Sequence, residues 1–298
     1  MTAPGEADPG AFCIPPRAGV SAYGGCGGRG GRIIFGWHDP LLRGRGRAIP
    51  LEERLIRTIW TTLVAVVVLA WWGMAVILEA RRGRKPSPWY AMITRRWCRS
   101  VIWASGCPMV VHGRENVREG IPQVIASNHI SWFDVFALAS VIEVPYHFVA
   151  KKELLKVPFF GRALEAAGHI TIDRSNRERA IDSLRAAGQK IRHSPGAVVI
   201  FPEGTRSRNG RLMPFKKGAF ILAAESGVAI VPTAITGSFD IMRPGSWRVS
   251  PRTIHIHFLP PIPPHEVAAV SARGPDALME LVHARIAAVV GTSEPVTA

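Results

Sequence analysis

Residues 123–141 read QVIASNHISWFDVFALASV, and this stretch passes from one kind of secondary structure to another. The apolar run Val124–Ala126 is typical of a short buried strand, and the residues from Asp134 onward are typical of a helix. A strand, a loop and a helix in this order form the repeating unit of α/β proteins. Functional side chains of such folds follow the carboxyl ends of strands, which is where Asn128 and His129 lie.

The same alternation of short apolar runs and amphipathic stretches extends over residues 108–298. Strands are predicted over Met109–His112, Gln123–Ala126, Tyr146–Ala150, His169–Ile172, Ala197–Phe201, Ile230–Thr236 and Ile254–Phe258. Helices are predicted over Asp134–Val141, Phe159–Ala167, Asn176–Ile191, Gly218–Ser226 and Pro275–Val290. This order predicts one α/β domain whose mixed, largely parallel sheet is flanked by helices.

A hydrophobic segment precedes this domain. Ile59–Leu78 contains no charged residue, and a helix of this length covers about 30 Å, the thickness of a bilayer's hydrocarbon core. Residues 89–107 mix tryptophan with arginine, which is typical of a helix lying at the membrane interface. We therefore expect a membrane anchor over 51–107. Basic residues flank both ends of the hydrophobic segment and weakly favour a cytoplasmic C-terminal side. Whether it spans the bilayer or enters one leaflet stays open.

Composition narrows the class of protein and its partners. Residues 1–50 are rich in Gly, Pro and Arg, so we expect a disordered tail there. The net charge of +15 calls for an anionic partner, and nucleic acid, a membrane surface or a phosphorylated substrate would each fit. The four cysteines form no CxxC pair, which argues against a zinc ribbon and a disulfide-built fold.

The spacing of His129 and Asp134 suggests acid–base chemistry. Five residues apart, they do not share a face of one regular helix, but a loop leading into a first helical turn brings them together. A carboxylate in that place fixes the tautomer of the imidazole and stabilises its protonated form. The imidazole is then suited to remove a proton from an alcohol.

A second candidate loop, Phe201–Ser207, comes directly after the apolar residues Ala197–Ile200 of a predicted strand. Its glycine permits close approach of a ligand, its arginine offers a fork for phosphate, and its hydroxyls add donors. Because no Gly-Lys-Ser/Thr follows the glycine, this is not a nucleotide P-loop. An ordinary solvated turn is the alternative. Basic residues also follow other strands, at Lys151–Lys152 and at Arg174, and such loops would converge on one phosphate.

Together these residues resemble the 1-acylglycerol-3-phosphate acyltransferases and their glycerophospholipid acyltransferase relatives. The resemblance extends from about Val110 to Pro263. It rests on ordered blocks at Asn128-His129-x4-Asp134, Gly168–Arg174, Phe201–Ser207 and Ile230–Thr233, and on the stretches Lys151–Leu154 and Pro214–Phe220. It implies a glycerolipid acyltransferase-like fold and transfer of a fatty acyl chain from acyl-CoA or acyl carrier protein to the sn-2 hydroxyl of lysophosphatidic acid.

The resemblance also implies a role for individual residues. His129 would be the general base, oriented by Asp134, and no acyl-enzyme would form. The glycerol phosphate would be bound by the residues Glu203, Gly204, Thr205, Arg206, Arg174 and Lys152. Pro232 would shape the wall of the acyl pocket. No metal or bound cofactor is required. His255 and His257 share one face of a predicted strand, but with no third ligand evident we interpret them as structural.

Several alternatives remain at this stage. Alternative acceptors are glycerol 3-phosphate, another lysophospholipid and a lyso-aminolipid. A non-catalytic protein that binds anionic lipid would keep the fold, although it has no need of a base at His129. A membrane-tethered nucleic-acid binder fits the charge, yet no recognition motif supports it. We therefore expect membrane lipid and a lysophospholipid as partners, no nucleic acid, and a location at the cytoplasmic membrane.

Overall fold

A computed structural model describes residues 32–35, 51–81, 88–157, 160–173, 183–184, 188, 191–192, 196–243, 245–274 and 276–291. Its strands are β1 Arg32–Phe35, β2 Met109–His112, β3 Gln123–Ser127, β4 Tyr146–Lys151, β5 Ile170–Ile172, β6 Ala197–Ile200, β7 Ala229–Thr236 and β8 Ile254–Phe258. Its helices are α1 Leu51–Arg81, α2 Pro88–Ser105, α3 Phe133–Val141, α4 Phe160–Ala166, α5 Gly218–Ser226, α6 Pro264–Ser271 and α7 Ala277–Val290.

The strands form one eight-stranded sheet in the order β1-β2-β8-β7-β3-β6-β4-β5. The five strands from β7 to β5 are mutually parallel, β8 runs antiparallel to β7, and β1 runs antiparallel to β2. The predicted mixed, largely parallel sheet is therefore confirmed. Because β3 lies between two parallel neighbours, all five of its residues are buried, and this explains the apolar run Val124–Ala126 at its centre.

Helices cover both faces of the sheet. One face packs against α2 and α3 through side chains such as Ile102, Phe133 and Leu138. The other face packs against α5, α6 and α7, with Phe220 and Val282 in its core. Successive side chains of each strand point to opposite faces of the sheet and so belong to different packed layers. The loops after β3 and β6 leave the sheet between these two layers.

Two segments of the chain were predicted differently. Arg32–Phe35 lies in the stretch expected to be a disordered tail, yet it pairs with β2 as an edge strand, because the open edge of β2 accepts its backbone hydrogen bonds. The other residues of 1–50 lie outside the described ones. Helix α6 was not predicted; it begins after Pro263, at a Pro-Pro step that reads as a loop. Most of the helix predicted over Asn176–Ile191 also lies outside the described residues.

Helix α1 is long and apolar enough to cross a membrane over Leu51–Glu79, judged by length and composition alone. In the most apolar 18-residue stretch of this helix only 22% of the residues are buried. Large side chains on its outer side, including Ile59, Val66 and Trp71, are exposed. The predicted hydrophobic helix is therefore present. Because an exposed apolar surface is unfavourable in water, its outer face is suited to lipid.

Helix α1 is nevertheless attached firmly to the rest of the protein. The Trp97 indole of α2 donates to the Ala65 carbonyl at 3.2 Å. The backbone N–H of Val249 donates to the Thr58 hydroxyl at 2.8 Å. Helix α2 in turn buries Cys98 and residues near it in the same core as the sheet. Helix α2 therefore packs against the sheet that follows it, and the boundary predicted at residue 107 stays a prediction.

Gly113 offers a test of the sheet's close packing. It has a φ of 67° directly after β2, and a Cβ there would overlap the Phe258 carbonyl oxygen. Gly120 has a similar φ of 73° with no atom within 4 Å of a Cβ. We expect Gly120→Ala to destabilise the fold by about 1 kcal/mol through φ strain. Gly113→Ala should lower the free energy of unfolding by at least about 2 kcal/mol more, because the backbone at Phe258 must shift.

Thermal and urea unfolding in detergent micelles would measure both variants. Equal destabilisation by the two alanines would contradict the close approach of Gly113 to the end of β8.

Candidate functional site

Asn128 fixes the loop that leaves β3. Its side-chain amide donates to the Ile235 carbonyl at 2.9 Å, and its side-chain oxygen accepts from the Ile235 N–H at 2.7 Å. Both hydrogen bonds are buried, so they are worth more than exposed ones and costly to break. The pair replaces the strand hydrogen bonds that β3 no longer makes with β7, and holds the next residue, His129, at the edge of the sheet.

The carboxylate of Asp134, the second residue of α3, lies at the centre of this loop. Its Oδ2 atom accepts from the backbone N–H groups of Ile130 and Ser131, each at 2.7 Å, and lies 2.9 Å from His129 Nδ1. Its Oδ1 atom accepts from the Ser238 hydroxyl. The side chain has no solvent exposure. Its position in the first turn of a helix also favours a negative charge.

These contacts determine the tautomer of His129. Because Asp134 Oδ2 already accepts from two backbone N–H groups, it is an acceptor, and the proton shared with the imidazole belongs on Nδ1. In the neutral ring the lone pair is then on Nε2. The ring stacks on Phe201 at a centroid distance of 4.1 Å, and 14% of the side chain is exposed. The predicted pairing of His129 with Asp134 is present, and Nε2 is suited to accept a proton.

The loop after β6 joins this first loop through the backbone of His129. Glu203 Oε1 accepts from the His129 N–H at 2.7 Å, and the Ser207 N–H donates to the His129 carbonyl at 2.9 Å. The two loops were predicted from separate sequence blocks, and here they share both backbone groups of one residue. Small shifts of one loop must therefore move the other.

Glu203 is a buried acid with unused hydrogen-bonding capacity. Its residue is 3% exposed, and its Oε2 atom has no hydrogen-bond partner among the described residues. Burial raises the pKa of Glu203 to about 7, against the opposing effect of hydrogen bonds with the backbone of His129 and Met213. Both protonation states are therefore accessible near neutral pH, and the carboxyl group is able to donate as well as accept.

Gly204 and Arg206 shape the exposed side of the second loop. Gly204 has a φ of 73°, and a Cβ there would come within 2.9 Å of Lys216 Nζ, so glycine lets a cation approach the loop backbone. The Arg206 guanidinium carbon lies 4.6 Å from the centroid of the Trp132 ring. This cation–π contact holds the guanidinium in place while its outer N–H groups remain accessible. Thr205, Arg206, Arg208 and Gly245 line an open polar cavity of about 480 Å³.

An apolar cavity of about 490 Å³ is lined in part by the start of the same loop, up to Gly204. Val149 and Ile172 of the sheet and Phe215 form part of its wall. Lys216 and Lys217 also line it, and Lys217 pairs with Asp276 at 2.8 Å. The loop thus contributes residues both to a polar, basic cavity and to one suited to a hydrocarbon chain.

Other predicted residues lie away from this group or outside the description. Lys152 is exposed at the start of the 3-10 turn Lys152–Lys156 after β4, and no described contact links it to His129. Arg174 lies outside the described residues. Pro232 is buried in β7, where it pairs with Ala126 of β3, and the 490 Å³ cavity is lined by other residues. The roles assigned to these three stay predictions.

Three partners of the site were not predicted from the sequence. Ser238, directly after the strand β7, donates to Asp134. Phe201 provides the surface on which the imidazole of His129 lies, and Trp132 supports Arg206. Ser238 follows the carboxyl end of a parallel strand, which is a signal that was available. The two aromatic contacts depend on side-chain packing between distant segments, which carries no local pattern.

Comparisons with known proteins identify relatives of this chain. A family model described as Acyltransferase matches residues 108–236. Over 196 residues the chain is 35% identical to a 1-acyl-sn-glycerol-3-phosphate acyltransferase of Pseudomonas aeruginosa, covering 64% of this chain and 73% of that relative. Over 162 residues it is 41% identical to a protein of the same description from Limnanthes douglasii, covering 54% of this chain but only 57% of the plant protein.

A solved structure shares the fold. The crystal structure of the 1-acyl-sn-glycerophosphate acyltransferase PlsC from Thermotoga maritima matches with a TM-score of 0.69, covering 80% of this chain and 95% of that one. The two sequences are 22% identical, so this likeness supports the fold alone.

The raised pKa of Glu203 predicts a specific pH dependence of stability. In the folded chain Glu203 keeps its proton up to about pH 7, whereas an ordinary glutamate loses it near 4.5. The free energy of unfolding should therefore fall as pH rises from about 4.5 to 7, by at most about 1.4 kcal/mol per pH unit, and not change further above that range. Glu203→Gln, which cannot ionise, should lack this contribution.

Urea unfolding of both proteins in detergent across this pH range would test the prediction. The stability of Glu203→Gln relative to the native chain should grow with pH up to about 7, with Glu119→Gln at an exposed position as control. Parallel pH curves for native protein and Glu203→Gln would contradict the pKa assignment.

Proposed function

Because the chain belongs to the 1-acyl-sn-glycerol-3-phosphate acyltransferase family, we propose that it transfers a fatty acyl chain from a thioester to the sn-2 hydroxyl of lysophosphatidic acid. The product is phosphatidic acid. The observation that carries the proposal is the His129–Asp134 pair, with one imidazole nitrogen fixed by a buried carboxylate and the other available as a base. A protein that only binds lipid has no use for such a pair.

The reaction proceeds in one transfer step. Nε2 of His129 removes the proton from the acceptor hydroxyl as its oxygen attacks the thioester carbonyl, and Asp134 stabilises the resulting imidazolium. The C–O bond forms, the C–S bond breaks, and the imidazolium returns its proton to the departing thiolate. No acyl-enzyme is needed, and neither Ser127 nor Ser131 acts as a nucleophile. Both are buried, and Ser131 Oγ donates to the Met242 carbonyl.

The phosphate of the acceptor binds on the basic side of the second loop. Arg206 presents accessible N–H groups into the open polar cavity, and a guanidinium fork matches phosphate oxygens. The buried carboxyl group of Glu203, three residues before Arg206, accepts from the backbone N–H of His129. With a pKa near 7 and a free Oε2, it is placed to hydrogen-bond a hydroxyl of the glycerol.

The apolar surfaces determine where the reaction takes place. The outer face of α1 inserts into the cytoplasmic membrane, so that the site meets its lipid acceptor at the bilayer surface. The acyl donor is acyl-CoA or acyl carrier protein, both of which are anionic and suit a chain with a net charge of +15. The catalytic domain is on the cytoplasmic side, where these donors occur.

The base assignment predicts the effect of His129→Ala. The variant should lower the rate of phosphatidic acid formation by about 10²–10⁴-fold, because general-base assistance is lost. His265→Ala, an exposed histidine of α6, serves as the matched control and should leave the rate unchanged. The measurement is transfer from labelled acyl-CoA or acyl carrier protein to lysophosphatidic acid in membranes that contain the protein.

The outcomes of this assay separate the candidate functions. Equal activity of the native protein and His129→Ala would exclude the base mechanism. Activity on another lyso-acceptor but not on lysophosphatidic acid would retain the chemistry and change the substrate. Inactivity of the native protein with every acceptor and both donors would favour a lipid-binding protein.

The phosphate assignment predicts a selective effect of Arg206→Gln. Loss of one charge-assisted hydrogen bond should raise the KM for lysophosphatidic acid by about 10- to 100-fold. The KM for the acyl donor should stay unchanged. Arg252→Gln, at an exposed position, is the matched control. A parallel rise in both KM values, or none in either, would place the phosphate elsewhere.

A further inference from the structure

Three histidines lie together on one face of the sheet, outside the site described above. The strands β2 and β8 are parallel, and their register places His112 directly beside His257. His255 precedes His257 by two residues and so points to the same face of β8. The strand pair alternates buried and half-buried residues, and all three histidines occupy half-buried positions. The third imidazole that the sequence of β8 lacks is therefore supplied by β2.

The distances between these rings suit a shared ligand. One nitrogen from each ring lies within 4.8 Å of those of the other two. The rings of His112 and His257 are stacked with centroids 4.3 Å apart, and those of His255 and His257 are 6.5 Å apart. Zinc–nitrogen bonds of about 2.0–2.1 Å place tetrahedral ligand atoms about 3.4 Å apart. Rotation of half-buried side chains on fixed strands is enough to close this difference.

The three imidazoles are not engaged elsewhere. None of them makes a hydrogen bond or ion pair with the described residues; their contacts are with each other. Burial and the neighbouring imidazoles lower the pKa of His255, and lower that of His257 to about 4. The neutral imidazole, with a free lone pair, is the form that binds metals. A cluster held together by ring stacking alone is the competing interpretation.

We propose that His112, His255 and His257 form a binding site for one zinc ion. Imidazole nitrogen is a ligand that Zn²⁺ prefers, and three protein ligands leave the fourth tetrahedral position for water. The ion joins β2 to β8 by bonds that cross between two strands far apart in sequence. It thereby reinforces the sheet on the side where β1 pairs with β2.

This site is separate from the His129–Asp134 pair and does not depend on the proposed acyl transfer. The two sites have no residue in common. They are nevertheless connected through neighbouring strands, because Ile256, between the two histidines of β8, pairs with Ile235 of β7. The Ile235 backbone is the group clamped by Asn128. Zinc therefore acts on β8, the neighbour of the strand that supports the loop of the first site, without taking part in its chemistry.

Direct metal binding is the test. The full chain, purified in detergent without a histidine tag and stripped with a chelator, would be titrated with Zn²⁺ by isothermal calorimetry and with Co²⁺ by visible absorption. One ion should bind per chain, with a cobalt spectrum typical of nitrogen ligands and no thiolate band. His112→Asn and His257→Asn should each weaken binding at least about tenfold. His265→Asn, at an exposed position outside the cluster, should bind as the native chain does.

Thermal unfolding provides a second readout that is independent of activity. Zinc should raise the Tm of the native chain and of His265→Asn, and should have little effect on His257→Asn. Circular dichroism of the metal-free variants would establish that each is folded. Absence of saturable binding to the native chain would overturn the proposal. So would binding of equal affinity in the native chain and both cluster variants, or a thiolate band that placed the ion on cysteine.

Discussion

The buried carboxylate of Asp134 is the constraint on which the arrangement of the site depends. A charge with no solvent exposure is stable only where donors surround it, and here they come from two backbone N–H groups, an imidazole and the Ser238 hydroxyl. Those donors belong to the loop after β3 and to the end of β7. Satisfying one anion therefore fixes the path of the loop, the tautomer of His129 and the start of α3 at once.

The order of the strands in the sheet makes this arrangement of the site possible. Parallel strands end at the same edge, so the loops after β3, β6 and β7 meet there without long connections. The side chain of His129 pairs with Asp134, and its backbone joins the two loops. The polar cavity around Arg206 and the imidazole are therefore positioned relative to each other by two hydrogen bonds, together with the packing of His129 on Phe201 and of Arg206 on Trp132.

Much of this was predictable from sequence, for identifiable reasons. Buried parallel strands such as Val124–Ala126 carry continuous apolar runs, and short motifs such as that of His129 and Asp134 place chemistry at their ends. Pairing at the edge of the sheet was not predictable in this way, because β1 depends on the open edge of β2, which lies far away in the chain. The same applies to His112, which joins two histidines about 140 residues later. Contacts of this kind depend on sheet order, which no local pattern encodes.

The attachment of α1 has a practical consequence for handling the protein. Its inner side covers Trp97 and the neighbouring surface of α2, while Thr58 hydrogen-bonds to the segment at Val249. Deleting this helix to obtain a water-soluble fragment would therefore expose apolar surface that the remainder needs covered. The apolar residues suited to the bilayer and those that stabilise the fold lie on opposite sides of this one helix. A detergent or nanodisc belt around an intact chain is accordingly the appropriate medium for any structural or kinetic work.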